Sequence, residues 1–173
     1  MTNYEKLNEY LIPTYEFFGL FKNKKHSNIK ISNQDMQFID NKKSDIIKEL
    51  RKYVKIIENA LLKSHINGLD MSYDEEDAID ILSDIPIEYF IDKNEEKTIE
   101  IPIIEFSIWD YVNKDQYEKI NIRDPKIQSE FFNKIFKFMK GLEKRFSNEK
   151  YFKKFDITSD WDDGLIYIIL IIN

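Results

Sequence analysis

The chain predicts an α+β fold: a mixed or antiparallel sheet built from the middle and C-terminal strands and covered by amphipathic helices. Three observations carry this. The run Leu165 to Ile172 is apolar at odd and even positions alike. A strand with one wet face alternates, so this one is expected inside a sheet with both faces covered. A long helical stripe runs over 125–146, and alternating residues occupy 98–108. With only 4 Gly and 4 Pro in 173 residues, long elements are favoured over glycine-rich loops. One domain, 1–173, is the expectation.

Taken in order, Tyr4, Leu7, Tyr10 and Leu11 have helical spacing, ended by Pro13. Tyr15, Phe17, Phe18, Leu20 and Phe21 cluster around Gly19 and read as core. A basic loop with His26 follows over 22–28, then a short strand over 28–32.

Ser44 reads as an N-cap for a helix striped by Ile46, Ile47, Leu50, Tyr53, Val54, Ile57, Leu61 and Leu62. His65 falls in its last turn, with Gly68 just beyond as a stop. Ala78, Ile81, Leu82 and Ile85 give the acidic stretch after it a buried stripe, and its first-turn carboxylates suit the positive helix end. Pro86 stops that helix.

Residues 87–92 and 98–108 read as two strands joined by a polar loop over 93–97. Pro102 marks the second as an edge, and a bulge is expected near Ile103–Ile104. Asp124-Pro125 is a strong helix start, and Lys134, Lys137, Lys140 and Lys144 share the polar face of the helix that follows. The last two strands form a hairpin whose turn is Asp162-Asp163-Gly164, Asp-Gly being the preferred two-residue hairpin turn.

The composition narrows the function classes. No cysteine is present, so disulfides and thiolate metal sites are excluded. No apolar run reaches the ~20 residues that span a bilayer, so a soluble, cytoplasmic protein without membrane contact is expected. Heavy use of Ile, Lys and Asn fits an AT-rich bacterial or phage genome.

Carboxylates Asp156, Asp160, Asp162 and Asp163 near Gly164 fail as a calcium loop. If Gly164 is the sharp-turn glycine, Ser159, Trp161 and Leu170 fall at the first, third and twelfth positions. Asp84 with Glu95-Glu96-Lys97 imitates a metal-nuclease pattern. Asp40-Asn41-Lys42 and Asp124-Pro125-Lys126 show how readily such triplets arise. His65 has no second histidine at ligand spacing. No catalytic, metal or cofactor residue is therefore assigned. The lysine face of the 125–146 helix lacks interleaved arginines and exposed aromatics, so nucleic acid is not an expected partner.

Charge distribution is the most informative functional feature. Residues 70–110 hold fourteen acids against two bases, and 156–173 hold four acids, while 1–69 and 115–155 are net basic. A segment of −12 creates a strong local field that recruits a basic partner. Tyr73, Tyr89 and Trp109 lie in or beside it as aromatic anchors. Small acidic proteins that neutralise basic nucleases use this physics, bacterial immunity proteins and phage DNA mimics among them.

The leading expectation is a non-catalytic binding protein, an immunity-type inhibitor of a basic toxin or nuclease. Its partner-binding surface would comprise Tyr73, Asp74, Glu75, Glu76, Asp77, Asp80 and Asp84. The alternatives are a self-associating scaffold, a homodimer joined through the final strand or the Phe-rich helix, and a carboxylate-site hydrolase.

Overall fold

The computed structural model describes residues 31–85, 87, 90 and 97–173. Asp35–Asn173 forms one compact unit, and the architecture below is that of this unit. The helix expected over Tyr4–Leu11, the aromatic cluster at 15–21, the loop with His26, Pro86, Tyr89 and Glu95-Glu96 lie outside the described residues.

Helix α1 spans Asn33–Ser64, β1 Leu69–Met71 and α2 Glu75–Ser83. Strand β2 runs Ile99–Ser107 and passes into a single turn, α3, over Ile108–Tyr111. A 3₁₀ turn at Lys114–Lys119 leads to α4, Pro125–Phe146, and the chain closes with β3, Phe152–Asp160, and β4, Leu165–Ile172. The four strands pair antiparallel in the order β1-β2-β4-β3. The class is α+β as the sequence implies, and β4 is interior as its composition requires.

Helix α1 begins at Asn33, not at Ser44. The buried stripe Ile46, Leu50, Tyr53, Val54, Ile57 extends back one heptad to Ile39, and an exposed serine inside a helix costs only tenths of a kcal/mol. The helix ends at Ser64, so His65 lies past it in the left-handed region, φ 52°. Gly68 is required by a close approach. A Cβ there would lie 2.4 Å from the Ser107 carbonyl oxygen, at φ +75°.

Ile87 and Phe90, expected in a strand, are helical. Phe90 is buried and Ile87 packs against the core.

In β2 the register shifts between Pro102 and Ile104. Ile99, Ile101 and Ile103 face inward before the bulge, and Ile104 and Phe106 after it, so two consecutive isoleucines are both fully buried. Pro102 does not lie on an edge strand of the whole sheet, since β2 sits between β1 and β4. It is tolerated because β1 pairs only with Ile104–Phe106, leaving the flank beside Pro102 without a described strand. The strand stops at Ser107, whose hydroxyl accepts the Asp110 amide (3.3 Å) and caps α3.

The hairpin loop is four residues long, Trp161–Gly164, rather than two. Asp160 pairs with Leu165, and only Gly164 in the loop has positive φ, 71°. The Asp160 carboxylate accepts the amides of Asp162 (3.1 Å) and Asp163 (3.3 Å), which closes the loop locally. Trp109 lies against Gly164 and donates its ring N–H to the Asp163 carbonyl at 3.1 Å.

Helices α1 and α4 build one core with the inward face of the sheet. Asp124 accepts the Lys126 amide (2.8 Å) and Pro125 opens the first turn. Phe131, Ile135, Met139, Leu142 and Phe146 are then buried along the helix. Phe146 meets Tyr53 of α1 at 5.2 Å and Phe155 of β3 at 5.1 Å, joining both helices to the sheet.

On the other face of β4, Ile171 is buried and Leu165, Tyr167 and Ile169 are half-buried. Leu165, Tyr167, Ile169 and Ile171 belong neither to this core cluster nor to the side chains packed against it. Among the described residues, the helical layer lies on one face of the sheet.

Candidate binding surface

Short α2 owes its position to its ends. The Asp74 carboxylate accepts the amides of Glu76 (2.8 Å) and Asp77 (3.0 Å), and Asp77 reaches back to the Asp74 amide at 3.4 Å. This reciprocal cap satisfies amides that the first turn leaves open. At the other end, Lys43 of α1 donates to the carbonyls of Ser83 (3.4 Å) and Ile85 (3.3 Å), a cation at the negative end of the helix. Ala78 and Leu82 hold its inner side to the core.

The predicted contact residues therefore divide. Asp74, Glu76, Asp80 and Asp84 are exposed. Glu76 and Asp80 share an outward edge at i,i+4 spacing, which Asp84 continues at the C-cap. Glu75 is half-buried and bound to Arg51 of α1 at 2.7 Å, and Asp77 is half-buried in the cap. Tyr73 is only 8% exposed, so its ring is not displayed beside the carboxylates. Trp109 is committed to the hairpin loop and to Tyr117, whose hydroxyl donates to the Trp109 carbonyl at 2.6 Å.

A second acidic surface, not anticipated from sequence, lies on the outward face of the sheet. Strand register sets it out in rows across β2, β4 and β3. Glu100, Ile171 and Lys154 form one row, and Pro102, Ile169 and Asp156 the next. Glu105, Tyr167 and Thr158 follow, with Asp70 of β1 beyond Glu105, and then Ser107, Leu165 and Asp160. An apolar stripe on the central strand is thus bordered by carboxylates from 70–110 on one side and from 156–173 on the other. The antiparallel order brings together two acidic blocks that the sequence keeps far apart.

Near its centre, burial raises the Glu105 pKa above the usual carboxylate range; a hydrogen bond from the Tyr167 hydroxyl opposes this, and the charges of Asp110 and Asp70 add to it. The Tyr167 phenol is raised by its own burial and by the charges of Glu105, Asp160 and Asp163. At the margin, Lys154 pairs with Asp156 at 2.7 Å and holds its pKa low. The signal for this surface was the outward parity of β4. What it lacked was the identity of the flanking strands.

The other candidates fall elsewhere. Asp162 is exposed and meets Arg123 at 3.1 Å, while Asp160 serves the hairpin loop. His65 is exposed. Among the described residues, no group of three or more His, Cys, Asp or Glu side chains is placed to hold a metal ion. On α4, Lys134 bonds the Tyr111 hydroxyl and Lys140 pairs with Glu143 at 2.6 Å; Lys137 and Lys144 are exposed. No described helix is long and apolar enough to cross a membrane. Comparisons with protein-family models, curated proteins and solved structures gave no match.

Proposed function

We propose that the chain is a non-catalytic binding protein, an immunity-type inhibitor whose acidic α2 surface engages a basic toxin or nuclease. The observation that carries this reading is the outward row Glu76, Asp80 and Asp84, with exposed Asp74 at the start of the same short helix. Among the described residues, Glu75 is the one of the six predicted carboxylates that pairs with a cation, Arg51. The rest leave a field that accelerates encounter with a cationic surface and orients it.

The test uses wild type and Glu76→Lys/Asp80→Lys/Asp84→Lys as paired baits in lysate of the source cells. Exposed ion pairs contribute about 0.2–1 kcal/mol each, and reversal also adds repulsion. The triple variant should bind a basic partner roughly 10- to 100-fold more weakly, with its fold unchanged. Equal capture of the same partner by both baits refutes the reading.

A second reading, self-association, draws on α4. Phe132 and Phe136 stack with ring centroids 6.1 Å apart, and Phe136 is 39% exposed. Sedimentation of wild type and Phe136→Glu at micromolar concentration separates the two readings. A dimer that Phe136→Glu dissolves supports self-association.

A further inference from the structure

We propose that the outer edge of β3 is a self-association surface: two copies pair through antiparallel β3 strands, in register about Ile157, and extend the sheet across a two-fold axis. This rests on the self-association reading above and names its surface. In the described sheet, β3 pairs with β4 on one side. Backbone direction alternates along a strand. The Gly164 carbonyl accepts the Ile108 amide, so Gly164, Ile166 and Ile168 address β2. Ile157, opposite Ile168, therefore turns its amide and carbonyl to the outer edge, and Ser159, opposite Ile166, does the same. Accordingly, the Ile157 amide donates to the carboxylate of its own neighbour, Asp156, at 2.9 Å. Lys154, Asp156, Thr158 and Ser159 are exposed around it. Such an edge is a template for a further strand.

The residues of this edge select a second copy. Set antiparallel about Ile157, Lys154 lies opposite Asp160 of the second copy, and Asp160 opposite Lys154 of the second copy. Asp156 meets Thr158 of the second copy, and Ile157 meets Ile157 of the second copy. Opposite charges and apolar side chains directly across a ladder stabilise it. Moving the centre one residue either way sets Asp156 against Asp156 or against Asp160 of the second copy. Centring on Phe155 drives the pairing into the register shift between Phe152 and Lys154. Helix α4 lies beside the same edge. Beyond its partner Lys154, Asp156 feels the charge of Lys140, and beyond Asp156, Lys154 feels that of Glu143. Lys140 in turn stands 5.3 Å over the Phe136 ring. Pairing through β3 therefore brings the exposed Phe136 of each copy toward the other and adds cover to half-buried Ile157. The contact is isologous and closes at a dimer.

Sedimentation velocity of the full chain at micromolar concentration should give a dimer. Ser159→Pro removes an edge amide, which an edge strand tolerates, and should give a folded monomer. Lys154→Glu sets like charge against Asp160 at both symmetric contacts and should raise the dimer Kd about tenfold or more. The chain has no cysteine, so a single introduced thiol reads the register. Ile157→Cys places thiols on directly opposed residues about 5.5 Å apart at Cα, within the span of a disulfide, and should cross-link with oxidised glutathione. Lys154→Cys places them about 20 Å apart along the ladder and should not.

A monomeric wild type overturns this proposal and the self-association reading together. A dimer that Phe136→Glu dissolves, but that Ser159→Pro and Lys154→Glu leave intact, overturns the edge and leaves the α4 reading standing. Equal cross-linking of the two cysteine variants, or cross-linking of Lys154→Cys alone, overturns the proposal. The α2 triple reversal should leave the dimer unchanged, and loss of the dimer in that variant alone also overturns it.

Discussion

Gly164→Ala is the sharpest test of how the hairpin is held, and so of which β4 residues face outward. Two costs follow from the geometry. A non-glycine residue at φ +71° costs about 1 kcal/mol in the left-handed region. The new Cβ would also sit 2.7 Å from Trp109 Nε1, too close for either group to stay in place. If Trp109 gives way, it loses the 3.1 Å bond to the Asp163 carbonyl, a further ~1 kcal/mol. The substitution should therefore cost about 2 kcal/mol in wild type. In a Trp109→Ala background the obstruction is gone, and the cost should fall to about 1 kcal/mol. Urea unfolding followed by far-ultraviolet circular dichroism of the four proteins gives the coupling energy directly. An equal cost in both backgrounds would refute the reasoning, because it would mean that Trp109 does not set the space at Gly164.

Other outcomes follow from the core and the charges. Phe146→Ala should cost about 3–5 kcal/mol in urea unfolding, since its fully buried ring links α1, β3 and α4. Glu105 has its pKa raised by burial, so the folded chain binds that proton more tightly than the unfolded one. Stability from this group is present at low pH and lost as pH rises through its raised folded pKa, so Glu105→Gln should gain stability relative to wild type as pH rises above the usual carboxylate range. Asp45 has the opposite sign. Hydrogen bonds from Lys150 and then Tyr151 hold its pKa low, so its contribution is present at neutral pH and lost as pH falls through the carboxylate range. Thermal melts across that range should show a flatter acid limb for Asp45→Asn.

Much of the fold was legible because local and tertiary signals agree. Asp124-Pro125 both caps α4 and precedes its apolar stripe, and the helix runs over the predicted 125–146. The bulge at Ile103 could be placed because alternation changes phase between two adjacent isoleucines. The misreadings came where a local signal had a tertiary competitor. Ser44 has the chemistry of a cap, but the core reaches Ile39, so the helix continues past it. Asp163-Gly164 has the chemistry of a two-residue turn. The Asp160 carboxylate and the Trp109 ring instead stabilise a longer loop, and neither is visible in the dipeptide.

The site divides in the same way. The acids of α2 were legible as a block, yet their separate duties were not. Glu75 meets Arg51, and Asp74 and Asp77 cap each other, through contacts only folding creates. Tyr73 reads as an anchor by its neighbours in sequence and is buried by its neighbours in space. The apolar run of β4 read as covered on both faces, and on the face away from the described helices Ile171 is buried and Leu165, Tyr167 and Ile169 are half-buried. Its acidic border depends on strand order, which pairs Glu105 and Thr158 to opposite sides of Tyr167.

The salt dependence of partner affinity tests the proposed function most directly. A basic protein captured by the wild-type chain would be titrated from about 50 to 500 mM salt, over which the Debye length shrinks from ~14 to ~4 Å. Binding through the exposed carboxylates of α2 predicts a steep loss of affinity, arising mainly in the association rate, and a shallower slope for the α2 triple reversal. An affinity that stays flat across that range, with the same slope for both proteins, would contradict an acidic contact surface.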